Sequence, residues 1–338
     1  MFSYRHGFHA GNHADVLKHM VLIAVLRHLT VKETALTVVD THAGAGLYRL
    51  DGDYATHSGE AWTGVLRLFA QLRAASQDSA GNPAQAHEPG SHGAIDSIVP
   101  ADAAVAGPRG RTPIAPVLRD YLELVAGFNP DGRLRIYPGS PFVVQRLLRA
   151  DARDRLRLFE LHPTDARALA GNIAQLGAGR MVSALPQDGF EALRGLLPPP
   201  SRRALVLIDP SYEIKSDYAR VAACVQDGLK RFATGSYLVW YPLIPRPEAH
   251  DLPRRLRTLA NHAGRPWLDA QLAIGQDEAR RAAADPAGPP RRPGLTASGV
   301  FLINPPHTLR ASLEAALPQL LQLLGRGRGQ RWAVESSG

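Results

Sequence analysis

Cysteine, lysine and long apolar runs are all scarce in this chain of 338 residues. Its one cysteine, Cys224, excludes a disulfide framework within the chain and favours a reducing compartment. The apolar stretch at residues 20–26 is far too short to span a bilayer. The first six residues carry no apolar core of a secretory signal. The sequence therefore predicts a cytoplasmic protein without membrane partners.

Positive charge exceeds negative charge, and the formal net charge is +8. Only four of the basic residues are lysines, so nearly all of the surplus is arginine. Arginine pairs with phosphate in a bidentate manner, and a basic surplus favours polyanionic partners through counterion release. A biased genome composition is the alternative explanation of the arginine content. Candidate phosphate contacts are Arg202-Arg203, Lys230-Arg231 and Arg254-Arg255, with an ordinary solvated face as the alternative.

The motif Asp209-Pro210-Ser211-Tyr212 directly follows the apolar run at residues 204–208. At the end of a buried strand, the Asp209 carboxylate and the Pro210 carbonyl can both accept hydrogen bonds from one exocyclic amine. The ring of Tyr212 can stack on the base that carries this amine. The motif therefore predicts methylation of the amino group of a nucleobase. DNA adenine and the side-chain amide of a protein glutamine are alternative acceptors, because enzymes that act on them carry related motifs.

Seven short apolar runs alternate with helical patterns, as expected for strands that are buried on both faces of a sheet. The runs lie at residues 35–39, 156–160, 181–184, 204–208, 237–241, 270–274 and 300–303. Helices are predicted at residues 64–74, 117–128, 142–148 and 163–174. This alternation predicts an α/β protein with an open sheet of parallel strands. Seven strands fit the Rossmann-like fold of methyltransferases that use S-adenosylmethionine (SAM).

The first two predicted strands are about 115 residues apart, whereas a crossover between parallel strands needs only a few tens. A small helical insertion is therefore predicted at residues 52–133, within a methyltransferase domain formed by residues 1–51 and 134–338. The middle of the insertion, residues 75–112, is rich in small and polar residues and predicts a disordered loop. Residues 276–293 and the tail after Gly325 are also predicted to be loose.

Acidic residues end or follow the first three predicted strands, at the edge where ligands of open α/β sheets bind. After Asp40 the chain enters Gly44-Ala45-Gly46, where small residues let a ligand approach the backbone. A nicotinamide-dependent oxidoreductase is the alternative, but its fingerprint requires a third glycine two residues further on. SAM has no phosphates and does not need that glycine. Glu160 then suits the two ribose hydroxyls, and Asp188-Gly189 suits the adenine amine.

Four histidines lie within fourteen residues near the start of the chain: His6, His9, His13 and His19. No metal site is predicted, because the segment lacks further ligands at a recognisable spacing. Gly11 also argues against a helix that carries both His9 and His13. A polar surface run and a clamp over the methionine part of the cofactor are the alternatives.

The segment at residues 4–19 closely resembles the start of the RlmJ family, whose members are bacterial large-subunit (23S) rRNA adenine-N6 methyltransferases. Further blocks that resemble this family lie at residues 40–46, 137–141, 160–163, 188–190, 230–235 and 296–299. The similarity covers most of the chain and fails in the two low-complexity stretches and the tail. It implies SAM as cofactor and a single-stranded or splayed adenosine of 23S rRNA as substrate. A monomer without a metal is expected.

Together, the motifs and the resemblance assign roles to individual residues. The cofactor contacts are Lys18, His19, His42, Gly44, Ser140, Glu160, Asp188, Gly189 and Asp209. The catalytic residues are Asp209, Pro210, Tyr212 and Tyr4, of which Tyr4 would reach toward the target adenosine. Ser211 stands where the family usually has a second proline. This departure puts turnover in question and leaves a non-catalytic RNA-binding protein as an alternative.

Overall fold

An eight-stranded sheet forms the centre of this computed structural model, which describes residues 7, 9–51, 60–77, 104–107, 110–276 and 294–337. The strands in chain order are β1 (Thr37–Asp40), β2 (Leu47–Arg49), β3 (Ala104–Gly107), β4 (Gly110–Pro113), β5 (Ile136–Pro138), β6 (Arg155–Phe159), β7 (Val182–Leu185), β8 (Ala204–Ile208), β9 (Ser236–Pro242), β10 (Trp267–Gln276), β11 (Ala297–Ile303) and β12 (Arg328–Ser336). The helices are α1 (His13–Leu29), α2 (Val65–Gln77), α3 (Pro116–Ala126), α4 (Ser140–Leu147), α5 (Pro163–Gln175), α6 (Gly189–Leu196), α7 (Ser216–Arg231), α8 (Pro247–His262) and α9 (Leu309–Leu324).

The strand order across the large sheet is β12-β10-β11-β9-β8-β1-β6-β7. The five neighbouring strands β9, β8, β1, β6 and β7 are parallel to one another. Strand β11 runs antiparallel to both β9 and β10, and β12 runs antiparallel to β10. The connection order reverses between β1 and β8, which leaves a crevice at the carboxyl ends of these strands. The predicted Rossmann-like methyltransferase fold is therefore confirmed, with an eighth strand beside the seven predicted ones. The prediction of parallel strands was wrong for β11 and β12, which run antiparallel to their neighbours.

Helices cover both faces of the sheet and create two hydrophobic cores. Along β8, Leu205 and Leu207 belong to the first core, whereas Val206 and Ile208 belong to the second. Successive residues of a strand point to opposite faces, so a strand between two helical layers needs apolar residues at every position. This burial explains why the sequence shows a continuous apolar run at β8 rather than an alternating pattern.

Strand β12 overturns the prediction that the tail after Gly325 is loose. It pairs with β10 along its length, from Ser336 opposite Leu268 to Arg328 opposite Gln276. Most of its residues are exposed or half-buried, so the segment lacks the apolar pattern by which a strand is recognised. The tail is extended because its backbone pairs with the free hydrogen-bonding groups at the edge of β10. The sequence of the tail does not reveal this edge.

Helix α1 is buried along most of its length and begins at His13. The side-chain oxygen of Asn12 accepts hydrogen bonds from the N–H groups of Ala14 and Asp15, which caps the helix. Gly11 precedes the helix with φ +76°, so His9 and His13 do not share a helix face. Within the described ranges, no helix is long and apolar enough to cross a membrane.

Helices α2 and α3 lie in the predicted insertion at residues 52–133. Helix α3 packs against α1 and α9, and its residues Leu118, Tyr121 and Leu122 belong to the first core. The predicted disordered loop at residues 75–112 was partly wrong, because α2 extends to Gln77 and β3 pairs with β4. Residues 78–103, 108–109 and 277–293 of the two predicted loops lie outside the described residues. A separate subdomain stays a prediction.

Candidate active site

A cleft lies at the carboxyl ends of β1, β6, β7 and β8, where the strand order reverses. An acidic residue follows or ends each strand: Asp40 at β1, Glu160 after β6, Asp188 after β7 and Asp209 after β8. Ten of the predicted site residues line this one cleft: Lys18, His19, His42, Gly44, Ser140, Glu160, Asp188, Gly189, Asp209 and Pro210. The fold thus brings together segments that are far apart in the chain.

The turn after β1 brings the backbone to the floor of the cleft. Gly44 has φ +59°, and a Cβ atom at this position would meet the Tyr48 hydroxyl. That hydroxyl accepts the N–H of Ala45 at 3.1 Å, and the Asn172 side-chain amide donates to the Ala45 carbonyl at 2.9 Å. The turn is therefore rigid, and it has no room for a side chain at Gly44.

Glu160 joins the end of β6 to this turn. Its Oε2 accepts the N–H of Gly44 at 2.8 Å, and its Oε1 accepts the N–H of His162 at 2.7 Å. Burial raises the pKa of Glu160, and the two N–H groups oppose this shift. Each carboxylate oxygen has a second lone pair, which can accept a further hydrogen bond from a ligand.

Asp188 is the N-cap of α6 and accepts the N–H groups of Phe190 and Glu191. Burial by itself raises its pKa, but the Arg220 guanidinium at 2.5 Å outweighs burial and lowers that pKa below its usual value. Arg220 also lies over the Phe190 ring, 4.6 Å from its centroid. The carboxylate is therefore ionised and fixed in place.

His42 and Gly189 close this end of the cleft. The His42 ring packs edge-on against Phe190 at 4.7 Å, and burial lowers the pKa of His42 to about 4, so the imidazole is neutral at pH 7. A Cβ atom on Gly189 would meet the backbone of Thr41. The start of α6 thus packs directly on the loop after β1, which requires glycine at residue 189.

Asp40 is a site residue to which sequence reasoning gave no role of its own. Its side chain is buried, and it accepts hydrogen bonds from Ser140 Oγ at 2.7 Å and from the His42 N–H at 3.2 Å. Burial raises the pKa of Asp40 to about 7, against the effect of these two donors. Asp40 therefore orients Ser140 in the cleft wall. Its position at the end of the first strand was the signal that could have identified it.

Lys18 and Asp209 form the corner on the α1 side of the cleft. Lys18 Nζ lies 2.5 Å from Asp209 Oδ2 and 2.8 Å from Asp15 Oδ1, and all three side chains are largely buried. Burial by itself lowers the pKa of Lys18, but the two carboxylates outweigh it and raise that pKa above its usual value. Asp15, which also accepts the Gly11 N–H, was missed. Its i,i+3 spacing from Lys18 on a helix could have identified it.

His19 and Ser211 also face this corner. His19 Nδ1 lies 2.8 Å from the Tyr137 hydroxyl, and the two rings stack with centroids 5.6 Å apart. Ser211 lines the cleft beside Pro210. Tyr4, which was predicted to reach the target adenosine, lies outside the described residues. In the part of the chain that is described, no three His, Cys, Asp or Glu side chains converge to hold a metal ion.

The stacking role predicted for Tyr212 was wrong for this structure. Tyr212 is 2% exposed, and its hydroxyl donates to the Trp240 carbonyl at 2.7 Å. The backbone at Tyr212 has φ +53°, and the ring packs against Tyr218 in the second core. Ile214, which is 63% exposed, lines the cleft two residues later. The four-residue motif did not reveal this change in chain direction.

The sheet order and the acidic residues at its strand ends define a Rossmann-like methyltransferase of the SAM-dependent class. A family model described as "Ribosomal RNA large subunit methyltransferase D, RlmJ" matches residues 33–78 and 108–335. The chain belongs to this family.

Relatives align with nearly the whole chain. "Ribosomal RNA large subunit methyltransferase J" of Escherichia coli (strain K12) is 37% identical over 320 residues, which cover 95% of this chain and 93% of the relative. The protein of the same name from Haemophilus influenzae is 36% identical over 337 residues, which cover 99% of this chain and 98% of the relative. A crystal structure of a Legionella pneumophila protein superposes with a TM-score of 0.71 at 27% identity, covering 97% of this chain and 98% of that chain.

Proposed function

We propose that this chain methylates the N6 amine of an adenosine in large-subunit (23S) ribosomal RNA, with S-adenosyl-L-methionine as cofactor. The two curated relatives are named large-subunit rRNA methyltransferases and align over nearly the whole chain. The observation that carries the proposal is the corner of Lys18, Asp209 and Pro210 in the wall of the cleft. A carboxylate and a backbone carbonyl at one corner are the acceptors that an exocyclic amine requires.

The walls of the cleft suit SAM by their chemistry. Glu160 retains acceptor capacity for ribose hydroxyls, and Leu161 and Ile214 expose apolar surface for an adenine ring. Gly44 and Gly189 bring backbone close to the cleft. After Gly46 the chain enters strand β2 rather than a helix. The nicotinamide-dependent alternative would need a helix N-terminus there to hold a pyrophosphate, so the structure favours the methyltransferase.

The role proposed for Asp209 and Pro210 follows from the electronic structure of adenine. The N6 lone pair is delocalised into the ring, so the amine is a poor nucleophile. Hydrogen bonds from the two N6–H groups to the Asp209 carboxylate and the Pro210 carbonyl hold the amine in place and favour a pyramidal nitrogen, which localises the lone pair. When bound, SAM supplies a methyl group on a cationic sulfur. Positioning and fixed dipoles then account for most of the acceleration.

Lys18 forms an ion pair with Asp209, the proposed acceptor for the target amine. Lys18 Nζ contacts Oδ2 of Asp209 at 2.5 Å, and a carboxylate has further lone pairs that can accept a hydrogen bond from the neutral amine. The N6 amine of neutral adenine is far too weak an acid to lose a proton before methyl transfer. The proton leaves N6 after the methyl group has been transferred, to Asp209 or to solvent.

The cleft must receive a base that has left its stack, which favours an unpaired or splayed adenosine in the RNA. The inserted helices α2 and α3 would lie beside this RNA as a small subdomain. An rRNA substrate agrees with the expected cytoplasmic location, and a monomer is expected to suffice. DNA adenine remains the second candidate substrate, and the names of the relatives argue for RNA.

The proposed function is tested with rRNA from a bacterial strain that lacks this protein. We expect the purified wild-type protein to transfer a labelled methyl group from SAM to 23S rRNA, and nucleoside mass spectrometry to identify the product as N6-methyladenosine. Asp209→Ala should lower kcat at least about 100-fold, while its circular dichroism spectrum stays native. Asp251→Ala, in an exposed ion pair with Arg254, is the matched control. Near-normal turnover of Asp209→Ala, or label on another base, would refute the proposal.

A further inference from the structure

Trp62 is exposed to an unusual degree for tryptophan. It lies in a short 3-10 turn, Glu60–Thr63, that precedes α2, and it is 63% exposed. Tryptophan is highly buried on average, because exposure of its large apolar ring to water is unfavourable. Trp332 on β12, which is 37% exposed, provides an internal comparison on another element.

The turn that carries Trp62 is fixed to the segment before α1. Asn12 Nδ2 donates to Glu60 Oε2 at 3.0 Å, and His9 Nδ1 lies 2.8 Å from the same oxygen. The Val65 N–H donates to the Gly11 carbonyl at 2.8 Å. A Cβ atom on Gly64 would meet the backbone of Gly11 and Asn12. The exposed ring thus projects from rigid backbone rather than from a loose loop.

The same segment leads to the catalytic corner. Asn12 caps α1, and one face of this helix carries Asp15 and Lys18, the second of which contacts Asp209. Asn12 and Lys18 are six residues apart, or about 9 Å along a helix axis at 1.5 Å per residue. Trp62 therefore projects from a turn that is hydrogen-bonded to the start of the helix whose next turns carry Lys18 and contact Asp209.

The electrostatics of the turn permit the approach of RNA. His9 is partly buried, which lowers its pKa, but Glu60 outweighs burial and raises it. The same pairing lowers the pKa of Glu60, against the effect of burial. The pairing of His9 with Glu60 favours the protonated imidazole and the ionised carboxylate together, so the negative charge of Glu60 is offset and repulsion of phosphate groups is limited. An exposed indole face beside a compensated charge suits a nucleobase, since every base has a π-face that stacks on aromatic rings.

We propose that Trp62 is a stacking platform for an unpaired base of the substrate RNA next to the target adenosine. This inference rests on the proposed function. Trp62 would act as a positioning residue, holding the strand so that the target base reaches Asp209. Its loss should therefore raise the KM for rRNA more than it lowers kcat, and it should leave the affinity for SAM unchanged.

Two measurements with the full-length protein test this proposal. Steady-state methylation of 23S rRNA from the deficient strain compares wild type, Trp62→Ala, Trp62→Phe and the control Trp332→Ala. Stacking is worth roughly 1–3 kcal/mol per base, so kcat/KM should fall roughly 5- to 150-fold in Trp62→Ala. Trp62→Phe should recover most of this loss, and Trp332→Ala should match wild type.

Fluorescence provides a readout that does not depend on methyl transfer. A single-stranded 12-mer of adenylate should quench tryptophan emission in wild type and in Trp332→Phe, and the quenching should be largely lost in Trp62→Phe. Equal quenching in all three proteins would overturn the proposal. So would a loss of activity in Trp62→Ala on ribosomal particles but not on naked rRNA, because this pattern indicates a protein contact. Absence of rRNA methylation by wild type, with quenching intact, would reject the proposed function alone.

Discussion

The two halves of the cleft are held together in different ways. In the cofactor half, Glu160 and Asp188 accept hydrogen bonds mainly from backbone N–H groups, three of which lie two or three residues further along the chain, while the N–H of Gly44 comes from the turn after β1. In the catalytic corner, Lys18 and Asp209 are 191 residues apart and form a buried ion pair. The first half rests on backbone hydrogen bonds at strand ends, whereas the second rests on opposite charges that stabilise each other away from water. Substitutions should therefore affect the two halves differently.

The largest effect is expected in the catalytic corner. Lys18→Met leaves the carboxylates of Asp15 and Asp209 buried without a cation, and breaking such a pair costs about 3–5 kcal/mol of unfolding free energy. Urea denaturation should measure this loss, and methyl transfer should fall at least about 100-fold.

Lys215→Met is the matched control for this comparison, because Lys215 is exposed and lies 3.5 Å from Glu248. Its effect on unfolding free energy should stay below about 1 kcal/mol. Equal losses of unfolding free energy in the two lysine variants would show that the buried Lys18–Asp209 pair stabilises the fold no more than an exposed ion pair does.

A smaller and purely functional effect is expected in the cofactor half. In Gly44→Ala, the new methyl group would meet the Tyr48 hydroxyl and would require φ +59°. The turn after β1 should shift, and the Kd for SAM should rise roughly 10-fold, equivalent to about 1.4 kcal/mol. Isothermal titration calorimetry measures this change.

Two companion variants sharpen this prediction. Adding Tyr48→Phe to Gly44→Ala removes the clashing hydroxyl and should restore part of the affinity. Gly171→Ala serves as the control, since Gly171 lies in α5 with open space around it. Alanine favours a helix there, so stability should rise slightly. Unchanged SAM affinity in Gly44→Ala would contradict the prediction, because the turn would then accommodate the methyl group without disturbing the cofactor site.

The effect expected from Asp40 depends on pH. Its pKa in the folded protein is about 7, above the value of about 3.9 in an unfolded chain. Between pH 4 and pH 7 unfolding releases a proton, so the contribution of Asp40 to stability is full below pH 4 and is lost as the pH rises toward 7.

Asp40→Asn keeps the acceptor for Ser140 and removes this titration. The unfolding free energy of the variant minus that of wild type should therefore rise with pH over this range. The limiting slope is about 1.4 kcal/mol per pH unit, measured by urea denaturation in a series of buffers. A difference that is independent of pH would show that Asp40 is ionised throughout.

The arginine pairs show why charge in a sequence does not locate a binding surface. Arg203 was a candidate phosphate contact, but its guanidinium donates to the carbonyl of Leu29 at the end of α1 and to that of Thr34 in the following segment. It precedes Ala204, the first residue of β8, whereas the cleft follows the last residue of that strand. Arg231 and Arg254 pair with acidic residues on their own helices. Only the direction of each element shows which end of the sheet a charge occupies.

Most of the cofactor half could be predicted, because its residues occupy fixed positions after strands. A buried parallel strand appears as an apolar run, and ligands bind where it ends, so Glu160, Asp188 and Gly189 could be located from the sequence. Strand β12 could not, since its pairing depends on the edge of β10 rather than on its own pattern. Tyr212 was misassigned because a motif specifies residue types but not the backbone angle that turns the ring into the core.

The sequence by itself determined the alternation of strands and helices, the identity of the acidic residues at the strand ends, and the family to which the chain belongs. The first two features are local, since each depends on residues within a few positions of one another, and the family follows from motifs distributed along the chain. The tertiary structure alone decided that Lys18 meets both Asp15 and Asp209, that Tyr212 is buried, and that the turn carrying Trp62 is tied to the start of α1. Contacts between distant segments depend on how helices pack on the sheet, and no local pattern encodes that packing.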